Sequence, residues 1–139
     1  MTVAELIARE SIRDTIARYG HCADTGRFDE MVQLFTEDGV LEIDGRGANR
    51  GRAAILSFLT QTKQTLQAGA ERPFIRHHVN SILIDVISDD EARAACYFFA
   101  ITQNGPDHWG RYRDRLVRVG DRWLFAHRRV RLDGRKERF

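Results

Sequence analysis

Apolar residues recur at steps of three, four or six along the start of the chain. Leu6, Ile12, Ile16, Tyr19 and Ala23 fall close to one face of a helix. Thr2 and Glu5 stand ahead of them at capping-box spacing, which predicts a helix from about Val3 to Ala23. Gly26 supplies a stop signal, and "FDEMVQLF" reads as a short second helix with Phe28, Met31, Val32 and Phe35 on one side. A short strand, Val40 to Ile43, lies between glycine-containing turns. "GRAAILSFLTQTKQTLQAG" reads as a third helix ending near Gly69.

Pro73 closes this helical half, and the period then changes. Phe74 to Val86, Glu91 to Gln103, Gly110 to Val119 and Arg122 to Leu132 are β-rich segments, joined by the hairpin-like connections "ISDD", "NGPDHW" and "VGDR". Helices followed by a meander of strands predict an α+β fold. The helices pack on the concave face of a strongly curved, mainly antiparallel sheet, forming a cone with an interior pocket suited to a small apolar ligand. No internal repeat or low-complexity segment interrupts this order, and 139 residues suit one domain spanning 1–139.

Composition narrows the setting. With 42% apolar and 30% charged residues, and no apolar run near the ~20 residues that span a bilayer, no membrane association is expected. Acidic residues interrupt the apolar N-terminus, unlike a secretory signal, so a cytoplasmic location is the default. Cys22 and Cys96 have no zinc or disulfide spacing and read as buried free thiols. The net charge is +2, with a basic surplus in "RRVRLDGRKERF". Acidic residues are nevertheless interspersed and no nucleic-acid motif occurs, so no nucleic-acid partner is expected. There is no P-loop, GxGxxG, GxSxG or HExxH, which favours a site without cofactor or metal.

The candidate chemistry centres on "HCADTG" and "RHHVNS". Asp24 falls in the last turn of the first predicted helix, where a carboxylate faces the negative end of the dipole at a cost of about 0.3 to 1 kcal/mol. An imidazole within hydrogen-bond reach would compensate, and Asp24 would hold that ring in one tautomer. His77 and His78 are adjacent in a strand, so pleating sends one to each face. His77 would share a face with Val79, Ser81 and Leu83, and His78 with Asn80, Ile82 and Ile84; alternation alone does not choose between them.

The segments "IRDTIARYGHCAD", "FDEMVQLFTEDGVLEI", "GRAAI", "RHHVNSILI", "ARAACYFF" and "GRYRDRLVRVGDRWLFAHRRV" together resemble the SnoaL-like branch of the cone-shaped nuclear transport factor-like superfamily. That superfamily includes dehydratases, dehydrochlorinases, isomerases, polyketide cyclases and the structural small subunits of ring-hydroxylating dioxygenases, so the fold does not settle the activity. The resemblance to the scytalone dehydratase and lindane dehydrochlorinase type implies a cofactor-free lyase or isomerase. Asp24 would pair with His77, which would act as base on a small cyclic substrate. It further implies pocket-lining roles for Tyr19 and Tyr112. Arg128 and Arg129 lie on opposite faces of the last strand, with Arg129 favoured as the pocket cation, while Asp114 suits a cross-strand pair with an arginine. Asp24 acting directly as the base is a variant. Self-association as a homodimer or homotrimer through the convex face is expected. The competing reading is a non-catalytic ligand-binding or assembly protein on the same fold.

Overall fold

The computed structural model describes residues 1–67 and 74–137. Helix α1, Val3–Thr25, opens on a complete capping box. The Glu5 amide donates to Thr2 Oγ1 at 3.1 Å, and the Thr2 amide donates to Glu5 Oε2 at 3.3 Å. Gly26 ends the helix in the left-handed region, at φ 70°. One turn of helix, α2 (Phe28–Met31), and a 3-10 turn at Val32–Leu34 lead into strand β1, Phe35–Ile43, which is longer than the pattern predicted. A strand β2, Gly47–Arg50, which the sequence reading assigned to a turn, folds back on β1 before helix α3, Arg52–Gln67. The predicted α3 end near Gly69 and the break at Pro73 lie outside the described residues.

Strands β3 (Ile75–Val86), β4 (Glu91–Thr102), β5 (Gly105–Val119) and β6 (Arg122–Arg135) complete a six-stranded sheet in the order β2-β1-β6-β5-β4-β3. Every neighbouring pair is antiparallel except β1 with β6. The architecture is α+β, as the change of period implied. β5 starts five residues earlier than predicted, so "PDHW" belongs to a strand and not to the connection. At Gly110 the β5 backbone comes so close to β6 that an added methyl would strike the Arg131 carbonyl, and only glycine fits there. Among the described residues no helix is long and apolar enough to cross a membrane.

The inner face of α1 packs Ala8, Ile12, Ile16 and Tyr19 against Phe35, Phe98, Leu116 and Phe125 of the sheet. Leu6 falls outside this stripe and is exposed. The sheet carries several register shifts, and two of them bear on the buried charge and on His77. On β3, the pairing steps from Asn80–Tyr97 to Leu83–Ala95, one residue more on β3 than on β4. On β6, it steps from Leu116–Phe125 to Arg115–His127, with Ala126 as the extra residue. Because side chains alternate with period 2, each extra residue exchanges the inward and outward sets beyond it.

The β6 bulge places a charge at the centre of the core. Phe125 faces inward, and after Ala126 the next inward side chains are Arg128 and Val130. Arg128 is fully buried and donates twice to its cross-strand partner Asp114, through Nε at 2.8 Å and Nη2 at 3.0 Å. Its guanidinium carbon lies 4.2, 3.8 and 4.4 Å from the ring centres of Tyr19, Tyr112 and Phe125. Removing Asp114 would leave an uncompensated buried cation. Asp114→Ala is therefore expected to lose about 3–5 kcal/mol of stability, read from urea unfolding, whereas Arg129→Gln at the exposed neighbouring pair should change it by no more than about 1 kcal/mol.

Candidate functional site

Asp24 and His77 meet where the end of α1 crosses the start of β3. His77 Nδ1 lies 2.6 Å from Asp24 Oδ1, and the His77 backbone amide donates to both carboxylate oxygens at 3.0 and 3.2 Å. An ionised carboxylate only accepts, so Nδ1 carries the proton in this contact and Nε2 is the ring nitrogen that Asp24 does not engage. The two side chains are 11% and 15% exposed, dry enough to hold their geometry yet reachable from outside. The amide and imidazole also answer the unfavourable placement of Asp24 in the last turn of α1, where no basic residue of the helix stands.

The β3 bulge sets the company of this ring. Ile75, His77 and Val79 face inward, and beyond the bulge the inward set becomes Ile82, Ile84 and Val86. Uninterrupted alternation had grouped His77 with Ser81 and Leu83; both are exposed, because the extra residue reverses the parity. Ser81 sits at φ 53°, a left-handed conformation rarely adopted by residues other than glycine. His78 turns to the opposite, outer face and stacks on Phe99 with ring centres 4.8 Å apart.

Tyr19 and Tyr112 are buried together at the centre of the cone, in edge contact at 5.9 Å. Phe98 stacks on Tyr112 at 4.4 Å and stands 6.3 Å from the His77 ring, so it lies between Tyr112 and His77. Burial pushes both phenols up, that of Tyr112 well above the ordinary range, against the opposing pull of Arg128. Burial also pushes the Asp114 carboxyl up while Arg128 pulls it down, and works against the Arg128 charge, which Asp114 more than restores. Arg129, the residue favoured as pocket cation, instead faces outward. It is exposed and bound to Asp44 at 2.7 Å, since the bulge at Ala126 gives the inward position to Arg128. Arg128 Nη1 has no hydrogen-bond partner among the described residues.

Sequence reasoning missed His108, which it had assigned to a turn. Its ring meets that of His77 edge to face at 5.8 Å, and its Nδ1 lies 2.8 Å from Asp107 Oδ2. Register would have identified it, because both histidines pair with Ala100. Among the described residues no three His, Cys, Asp or Glu side chains meet as a metal site. Burial pushes the Cys96 thiol up to about 11 and raises that of Cys22 too, which suits inert thiols. Two surface concavities lie elsewhere, one between α1 and the β5–β6 turn at Trp123, the other along the β1–β2 hairpin beside Arg129.

The SnoaL-like domain family matches residues 4–129, and the chain belongs to it. A scytalone dehydratase-like protein of Novosphingobium aromaticivorans superposes with a TM-score of 0.84 at 24% identity, over 100% of this chain and 93% of that one. An NTF2-like protein with a cystatin-like fold from the same organism is 30% identical, with a TM-score of 0.78 over 91% of this chain and 82% of its own. A Catenulispora acidiphila protein crystallised in complex with S-DNPA is also 30% identical, with a TM-score of 0.76 over 91% and 93% of the two chains. No curated protein matches the sequence significantly.

Two outcomes follow from this geometry. Ser81→Gly, which relieves a left-handed serine without altering the bulge, should raise stability by about 1 kcal/mol in urea unfolding. Because both buried phenols are raised above the ordinary tyrosine value, the unfolded chain gives up its phenolic protons first. Stability is therefore fully present below pH ~10 and falls as pH climbs past it; the Tyr19→Phe/Tyr112→Phe double variant should flatten that fall in unfolding measured across pH.

Proposed function

We propose that this member of the SnoaL-like family is a cofactor-independent lyase or isomerase acting on a small, largely apolar cyclic substrate. His77 is the base: Asp24 holds Nδ1–H, and Nε2 takes a proton from a carbon beside a carbonyl, hydroxyl or halide. The observation that carries this reading is the 2.6 Å contact between Asp24 and His77 at a partly accessible position. General-base catalysis by such a group contributes roughly 10²–10⁴-fold in rate.

The surroundings support a ring-shaped ligand. Phe98 offers an apolar face beside the imidazole, with Tyr112 stacked behind it. The relative in complex with S-DNPA supports small-molecule binding on this fold. Tyr19 and Tyr112 would act as the packed back wall of the site, since Phe98 stands between them and His77. A non-catalytic binding or assembly role is the second reading. It is favoured by the way Arg128 and its three rings fill the centre of the cone, where a deeper pocket would otherwise lie.

Self-association through the outer sheet face belongs to the same proposal, supported by the exposure there of Tyr97 and Trp109. Light scattering at micromolar concentration should give a dimer or trimer, and a monomer would refute it. For the chemistry, wild type, His77→Ala and Asp24→Asn are compared on a panel of hydroxylated and halogenated rings. Turnover should fall at least 100-fold in His77→Ala and by a smaller factor in Asp24→Asn. Equal turnover in all three would end the dyad mechanism.

A further inference from the structure

The outer face of the sheet, turned away from His77, carries three arginines without a counter-charge. The inward positions of β4 include Ala92, Ala94 and Cys96, and those of β5 include Tyr112, Asp114 and Leu116. Arg93, Arg113 and Arg115 alternate with these, point outward and are exposed. Register gathers them: Arg93 is the direct cross-strand partner of Arg115, while Arg113, two residues earlier on the same face, is opposite Ala95. Directly opposed Cβ atoms lie about 5 Å apart and diagonal neighbours roughly 7–8 Å. Three guanidinium groups are thus within reach of one another over the small side chain of Ala95.

The remaining arginines of β5 are matched by carboxylates, Arg111 by Asp133 at 3.2 Å and Arg118 by Asp90 at 2.9 Å. On β6, His127 stands opposite Arg115 and Arg129 opposite Arg113, and these are held by Glu42 at 3.1 Å and Asp44 at 2.7 Å. Asp85 is the β3 partner of Arg93 by register, yet no ion pair joins them. Among the described residues Arg93, Arg113 and Arg115 make neither a hydrogen bond nor an ion pair. Like charges directly opposite one another destabilise a sheet. The fold therefore sustains at this spot a repulsion that a carboxylate at either position would have removed.

We infer that Arg93, Arg113 and Arg115 form a binding site for a multivalent oxyanion of the phosphate class. Each guanidinium presents paired N–H donors in a plane that matches two oxygens of a phosphate at once. A tetrahedral dianion offers enough acceptors for several such forks and offsets more of the triple charge than chloride or a single carboxylate does. The site lies on the opposite side of the sheet from the Asp24–His77 contact, so its ligand binds without entering the cone. Trp109 on the same face is six residues along β5 from Arg115, roughly 20 Å away.

Isothermal titration at about pH 7.5, where phosphate is mostly dianionic, tests the site with sodium phosphate, phenyl phosphate, hexaglutamate and sodium chloride at matched ionic strength. Phosphate should give a saturable heat that chloride does not. Arg113→Thr/Arg115→Thr should weaken phosphate binding at least about tenfold, the loss of one charge-assisted contact. Arg93→Thr should weaken it as well. Because that change relieves a like-charge opposition, Arg93→Thr should be no less stable than wild type in phosphate-free urea unfolding, which separates lost binding from lost folding. Arg129→Gln, at the neighbour already held by Asp44, should bind as wild type does. Phenyl phosphate distinguishes the source within the assignment: binding as tight as phosphate or tighter points to a phosphate monoester, and weaker binding to the free ion. Equal heats from phosphate and chloride, unchanged affinity in the threonine variants, or an equal loss in Arg129→Gln overturn the site. Binding of hexaglutamate but of neither phosphate overturns it in favour of an acidic protein segment.

Discussion

A guanidinium sealed in the core is the constraint around which this cone is arranged. Arg128 cannot be solvated, so every element near it has to supply something: Asp114 two carboxylate contacts from β5, Tyr19 a ring from α1, Tyr112 and Phe125 rings from β5 and β6. Such a pair gains little over an apolar core of the same volume, but breaking it on one side is costly. Its value here is positional. The charge is satisfied only when α1 lies across the sheet at the height of Tyr19 and when β5 and β6 pair with Asp114 opposite Arg128.

The candidate site is built on that placement. Fixing α1 at Tyr19 brings its last turn, five residues on, to the start of β3, where Asp24 finds both the amide and the ring of His77. Phe98 connects the two regions physically, stacked on Tyr112 on one side and close to His77 and His108 on the other. The Asp24–His77 contact is therefore the outer layer of one continuous packing whose inner layer surrounds the buried charge. A disturbance at Tyr112 reaches His77 through a single ring.

Much of the fold was legible because it is encoded locally. The capping box at Thr2 and Glu5, the stop at Gly26 and the change from helical to strand period after the third helix all act within a few residues. The contact between Asp24 and His77 was also legible, through the awkward charge at the helix end and the family resemblance. What escaped depends on register. Ala126 and Ser81 are ordinary residues in ordinary strand sequence, yet each shifts the pleat by one and exchanges the faces beyond it. That exchange sent Arg129 outward and Arg128 inward. It also changed the neighbours of His77. His108 was hidden for a related reason: glycine, proline and aspartate before it signal a turn, while the strand in fact begins at that glycine.

The contact of Asp24 with the His77 backbone amide separates anchorage from side-chain identity. Any residue but proline at position 77 brings the same N–H to the same carboxylate, so the tie between helix and sheet does not depend on which side chain is present. Position 77 is thus an interchangeable socket: the scaffold can carry a different functional group there while its frame stays closed. Position 24 has no such freedom, because its carboxylate serves the frame and the imidazole together. A lineage or a designer seeking new reactivity in this cone would vary the strand residue first and keep the aspartate.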